Sequence, residues 1–178
     1  MRYALSFPMI CLFFSGKLLA ISKVFHMLIS YSISATDFLE ESLPQEPSWR
    51  SAETVKLARI LATHGVDFLD VSGGGNHPAQ KIRGVGTAAY QAPFAHDVKQ
   101  ALGDKLLVGS VGAITNGLIA ENVLEKGHAD AVLVGRQFQK NPGSVWAFAE
   151  DLGVDIYAAH QIEWGTFRST PWIHGVLT

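Results

Sequence analysis

The sequence predicts an α/β fold: a partial TIM, or (β/α)8, barrel of about four βα units, corresponding to strands five to eight of a complete barrel. Three observations predict it. Short apolar runs alternate with helix-forming stretches from Leu28 to Leu152. The runs are continuous rather than polar at every second position, as in parallel strands covered on both faces. The last two runs each end in a glycine-bearing turn, and the second turn carries an arginine, Gly135-Arg136. A β/α barrel holds phosphate in the loops after its last two strands. A complete barrel needs eight units and about 250 residues; this chain has 178.

Each element has its own local reason. Leu28 to Ile33 is an apolar run ending in Ser34-Ala35-Thr36-Asp37. After a polar stretch with Pro44 and Pro47, Ser48 is the expected cap of a helix of good formers. Its apolar positions Val55, Ala58, Leu61 and Ala62 share one face, and Gly65 is its stop. Val66 to Val71 reads as a strand closed by Ser72-Gly73-Gly74-Gly75-Asn76, and a longer loop reaches Gln91. Ala92 to Gly103 reads as a helix, Leu106 to Val108 as a strand, Leu118 to Lys126 as a helix and Ala131 to Val134 as a strand. Pro142 opens a last helix, Gly143 to Leu152. A doubly wound nucleotide fold would want GxGxxG after its first strand. Gly73, Gly74 and Gly75 come close, but Asn76-His77-Pro78 follows, so the motif fails.

Composition narrows the function classes. The apolar fraction of 48% is ordinary for a globular domain. The net charge of −2, with no basic stripe or stacking-aromatic pattern, argues against nucleic acid. The single cysteine, Cys11, cannot form an internal disulfide, and no Cys/His spacing suggests zinc. A cytoplasmic location is expected.

Residues 1–31 differ in character and are set apart from a barrel half at 32–165 and a tail at 166–178. Their first thirty are apolar and lack acidic residues. One reading is a secretory signal, with Arg2 as n-region, Ala4 to Phe14 as h-region and Ala20 as the small residue. A stable membrane span is not expected, because Lys17 and Lys23 interrupt the run before about 20 apolar residues accumulate. The favoured reading is a segment foreign to the barrel.

The candidate cofactor-binding residues are Gly109, Ser110, Gly112, Gly135 and Arg136. Glycine lets a backbone approach a ligand closely, and successive N–H groups can point at phosphate oxygens. Arginine offers a planar fork that matches phosphate. The plainer alternative is a pair of tight turns with a surface charge.

Four ordered blocks carry a resemblance: Gly65-Val-Asp-Phe-Leu-Asp-Val-Ser72, Tyr90-Gln91-Ala-Pro93-Phe94-Ala95, Val111-Gly112-Ala-Ile114-Thr115 and Ala129-Asp130-Ala-Val-Leu-Val-Gly135-Arg136. Together they resemble the old yellow enzyme family of FMN-dependent ene-reductases, over roughly Ser34 to Gly165. The resemblance implies FMN as cofactor, NADPH or NADH as reductant and an enone-type substrate. It implies that the Gly112 and Gly135-Arg136 turns hold the FMN phosphate. It also places His77 and Tyr90 on loops that face the substrate, with a solvated loop histidine and a packing tyrosine as the plainer alternatives. Asp70 ends a strand on the catalytic face and is read as a structural carboxylate bonded to a nearby backbone N–H. The family's arginine beside the flavin's pyrimidine edge is replaced here by Ser32. The blocks of the family's first four strands are not recognisable in residues 1–31. A half barrel would have open edges near Ile33 and Val134. Poor stability alone, or closure with a second copy, is therefore expected, along with weak FMN binding and poor turnover.

Overall fold

The computed structural model describes residues 28–157, 159 and 161, together with the backbone of 3–7 and 10–14. Ala20, Lys17, Lys23 and the 166–178 tail lie outside the described residues. Four parallel strands alternate with helices. They are β3 (Ser30–Ser34), β4 (Phe68–Ser72), β5 (Leu107–Val111) and β6 (Ala131–Val134). The helices are α1 (Ser51–Thr63), α2 (Ala92–Leu102), α3 (Gly117–Glu125), α4 (Arg136–Lys140) and α5 (Ser144–Leu152). Sequential strands are spatial neighbours, β3-β4-β5-β6. This is the partial barrel expected, with strand order following chain order.

One face of the sheet lies under the helices. Leu69 and Val71 of β4, Val108 and Ser110 of β5, and Val132 and Val134 of β6 are all at most 4% exposed. Ala58, Val98, Leu102, Ala120, Val123 and Phe148 pack onto them from the helices. On the other face Phe68, Asp70, Leu107, Val111 and Leu133 are only half-buried. Most of that face is apolar, which is why the strands read as continuous runs.

Two differences from expectation concern the edges and caps. The β6 edge near Val134 is not open. The strands β1 (Tyr3–Phe7) and β2 (Ile10–Phe14) form an antiparallel pair, and β2 adds antiparallel to β6, with Cys11 opposite Val134 and Phe14 opposite Ala131. The stretch weighed as an h-region therefore caps a sheet edge, satisfying the backbone groups that an open β6 would present. The β3 edge ends the sheet, and beside it Leu28, Ile29 and Tyr31 are 57%, 50% and 47% exposed.

Ser48 does not cap α1. The helix starts at Ser51 with Arg50 as its uncapped N-cap, and the Ser48 hydroxyl is buried without a partner among the described residues. Longer-range bonds fix the entry instead. The Trp49 N–H donates to Asp37 Oδ2 at 2.7 Å, its indole Nε1–H to Thr54 Oγ1 at 2.6 Å, and Thr54 Oγ1 to the Ala35 carbonyl at 2.9 Å. The helix ends as expected. Gly65 has φ +84°, a conformation suited to glycine.

Candidate cofactor site

The register brings the two glycine turns together. Gly109 pairs with Ala131, Ser110 with Val132 and Val111 with Leu133. Gly112 follows the last residue of β5, and Gly135 follows the last residue of β6. Both turns thus emerge side by side at the C-terminal ends of neighbouring parallel strands, the end where barrels place their sites.

The β5 turn is tightly shaped. Gly112 has φ +113°, and Ala113 follows with φ +52°. A Cβ at Gly112 would come within 3.1 Å of Tyr90 Cε1 and 3.2 Å of Gln91 Cγ and Cδ. Among the described residues, the N–H groups of Ala113, Ile114 and Arg136 donate to no backbone carbonyl. The β6 turn is open. Gly135 has φ −105°, and a Cβ there would meet nothing within 4 Å. Arg136 is exposed, with no ion pair to a described residue.

Gly109 and Ser110 are placed differently from the turns. A Cβ at Gly109 would stand 2.5 Å from both Phe68 Cζ and Leu133 Cδ1, so glycine here lets two large neighbours meet over β5. Ser110 is fully buried on the helix-covered face, and its Oγ has no partner among the described residues.

Sequence reasoning did not single out Gln91. It is 4% exposed and ties three parts of the site together. Its Nε2 donates to the Gly73 carbonyl at 2.9 Å and to the Tyr90 hydroxyl at 2.8 Å, and it packs where Gly112 lacks a side chain. Its Oε1 is buried and has no partner among the described residues. The Tyr90 ring is half-buried against the β5 turn. His77 sits exposed on the loop after β4, where its Nδ1 accepts from the Ala79 N–H at 3.1 Å. Gln80 was also missed. Its Oε1 accepts from Gly75 N–H at 2.8 Å and its Nε2 donates to the Asp37 carbonyl at 2.7 Å, so one amide joins the loops after β3 and β4. Both glutamines bond to groups far away in the chain, which no local pattern reveals.

Asp70 lies on the face away from the helices, in register between Ser32 and Gly109. Its carboxylate accepts from the Ser32 hydroxyl at 2.9 Å, a side-chain donor where a backbone N–H was expected. Its Oδ1 is buried without a partner among the described residues. Burial raises the Asp70 pKa above its ordinary value, and the Ser32 bond offsets part of that rise. Ser32 thus anchors Asp70 where the resembled family would carry an arginine.

Among the described residues, no helix is long and apolar enough to cross a membrane, and no group of three His, Cys, Asp or Glu is arranged to hold a metal.

The fold and the paired turns can be set beside known proteins. The family model described as dihydrouridine synthase (Dus) matches residues 19–158. A NADH:flavin oxidoreductase of Gibberella zeae is 48% identical over 138 residues, which make up 74% of this chain and 33% of that protein. An NADPH dehydrogenase of Geobacillus sp. is 36% identical over 153 residues, 85% of this chain and 42% of that protein. An NADPH dehydrogenase of Listeria innocua is 31% identical over 142 residues, 80% of this chain and 39% of that protein. The chain spans between 33% and 42% of the length of these curated relatives.

Proposed function

The chain belongs to the dihydrouridine synthase (Dus) family and stands among the NADH:flavin oxidoreductases and NADPH dehydrogenases of the old yellow enzyme family, and on that premise we propose that it holds FMN by its phosphate at the Gly112 and Gly135-Arg136 turns. Bound flavin supplies the redox chemistry, taking hydride from NAD(P)H and delivering it to an activated alkene. The observation that carries the reading is the register of β5 and β6, which brings the positive-φ turn at Gly112-Ala113 next to the turn that bears Arg136, a side chain with no ion pair to a described residue.

The residues fit a dianionic tail. The N–H groups of Ala113, Ile114 and Arg136 are free of backbone acceptors among the described residues, which leaves them as donors for a phosphate. The Gly112 position would be filled by a Cβ, so glycine keeps the cradle open against Tyr90 and Gln91. Arg136 neutralises charge through its fork. Gln91 and Tyr90 are positioning residues that hold the cradle's shape. His77, on the exposed tip of its loop, is the substrate-side candidate of the pair. Gly109 and Ser110 support the cofactor through the strand that aims the turn.

Titrating FMN into the full chain, read by flavin fluorescence, tests this. Saturable binding weaker than micromolar is expected, with little enone reduction. Absence of saturable binding overturns the phosphate site. Micromolar or tighter affinity together with NADPH-dependent enone reduction overturns the claim that the chain alone is impaired.

A second reading is favoured by the exposed β3 edge and the half-buried face away from the helices. In it, the chain completes its barrel with another polypeptide, a second copy or a separate half bearing the other strands. Sedimentation and co-expression test it, and a monodisperse monomer with a cooperative melt counts against it.

A further inference from the structure

The loops after β3 and β4 flank an open cleft of about 460 Å³ between the starts of α1 and α2. That volume falls in the usual range for small-molecule sites. We propose that this cleft is a second ligand site that takes a nucleoside phosphate, the class to which the adenosine end of a reduced nicotinamide dinucleotide belongs. The proposal rests on the flavin reading for the ligand's role, and on the cleft's own side chains for its chemistry.

The aromatic wall comes first. Phe38, Phe94 and Tyr90 line the cleft, and the Phe38 and Phe94 rings meet edge to face with centroids 5.6 Å apart. Such rings offer a planar base both a face and an edge. Phe38 is held in an unusual backbone conformation, φ +53°, and its carbonyl accepts from Lys81 N–H at 3.0 Å. Gly73 makes room for the ring, since a Cβ there would lie 2.8 Å from Phe38 Cε2. The wall is therefore built by surrounding contacts.

The charges follow. Arg50, Lys81 and Arg83 line the cleft, as do Glu40 and Glu41. Both carboxylates have partners, but among the described residues only Glu41 is neutralised by a cation. Glu41 pairs with Arg83, and Glu40 accepts from Thr36 Oγ1 at 3.0 Å. Arg50 and Lys81 have no ion pair among the described residues. With Glu40 counted, the cleft keeps an excess of one positive charge, and Arg50 and Lys81 beside an aromatic wall match a base carrying a phosphate, whereas a neutral enone would leave both cations unused. The cleft also adjoins the proposed cofactor turn, because Tyr90 lines the one and packs against Gly112 of the other.

The test is calorimetric titration of AMP into the full chain, with FMN titrated separately by flavin fluorescence. The variants are the double R50A/K81A, the conservative Lys81→Arg and R136A; all three positions are exposed, and circular dichroism checks the fold. R50A/K81A should weaken AMP binding about tenfold or more and leave FMN binding unchanged. Lys81→Arg should retain AMP, and R136A should weaken FMN alone. The inference is overturned if AMP does not saturate, if inorganic phosphate binds as tightly as AMP, or if AMP follows R136A rather than R50A/K81A. A failure of R136A to weaken FMN, with AMP still lost in R50A/K81A, overturns the cofactor reading and leaves the cleft standing.

Discussion

The turns after β5 and β6 stand side by side and are built in opposite ways. Gly112 and Ala113 both have positive φ, and Tyr90 and Gln91 hem in Gly112. Gly135 has ordinary φ and open space around it, followed by the exposed Arg136. The first turn offers shape without charge, and the second offers charge with little imposed shape. A phosphate needs both: fixed N–H groups give geometry, and a guanidinium at the surface supplies attraction that salt can screen. On the proposed reading, dividing the two lets the rigid part be set by packing and leaves the charged part to adjust to a phosphate.

The largest expected effect separates the glycines. Gly112→Ala faces two costs, a φ of +113° and a Cβ at 3.1 Å from Tyr90. It should lose about 2–4 kcal/mol of stability in urea melts. Gly135→Ala, with free space at its Cβ, should change stability by less than about 0.5 kcal/mol. Equal losses would erase the distinction between the turns.

The next effect is on binding. Arg136→Ala should leave the melt unchanged and weaken FMN about tenfold, equivalent to about 1.4 kcal/mol. Arg136→Lys should recover only part of the affinity, because an ammonium lacks the planar fork. A loss of stability matching the loss of affinity would mean that the arginine serves the fold.

A smaller effect probes the strain itself. Ala113 sits at φ +52°. Its replacement by glycine should relieve up to about 1 kcal/mol of conformational cost while loosening the cradle. The expected outcome is a slightly raised melting temperature with slightly weaker FMN binding. Tighter FMN binding in Ala113→Gly would show that the strained form is not the one that binds.

How much of this was legible in the sequence depends on the range of the interactions. The βα alternation, the Gly65 and Gly103 stops and the paired turns follow from residues within a few positions of each other, and the structure has all of them. The α3 cap was equally local, since Asn116 Oδ1 accepts from Ile119 N–H at 2.9 Å, yet it passed unread beside the stronger glycine signals. The hairpin on β6 was not legible. Its run lacks the two-residue alternation of a half-exposed strand, so it read as a leader or a foreign segment. Gln80 and Gln91 bridge loops across 43 and 18 residues, and only tertiary contact chooses their partners. The glycine at position 109 illustrates an ambiguity, because a close approach by Phe68 and Leu133 requires it as well as a ligand would.

The smallest effect lies below both turns, in the rung that joins Ser32, Asp70 and Gly109. Burial raises the folded pKa of Asp70 above its ordinary 3.8. The folded state therefore binds this proton more tightly than the unfolded chain does, and its contribution is fully present below pH 3.8. The contribution is lost as the pH rises through the folded value. Asp70→Asn removes that loss while still accepting from Ser32, so it should melt higher than the native chain at pH 7, with the gap closing toward pH 4. Ser32→Ala deletes the one bond that favours the charged form and should move the Asp70 titration, followed by carboxyl NMR shifts, further upward. A downward move, or an Asp70→Asn gap that stays constant with pH, would mean that the carboxylate is stabilised by its surroundings, and the polar rung would then support the turns above it instead of opposing them.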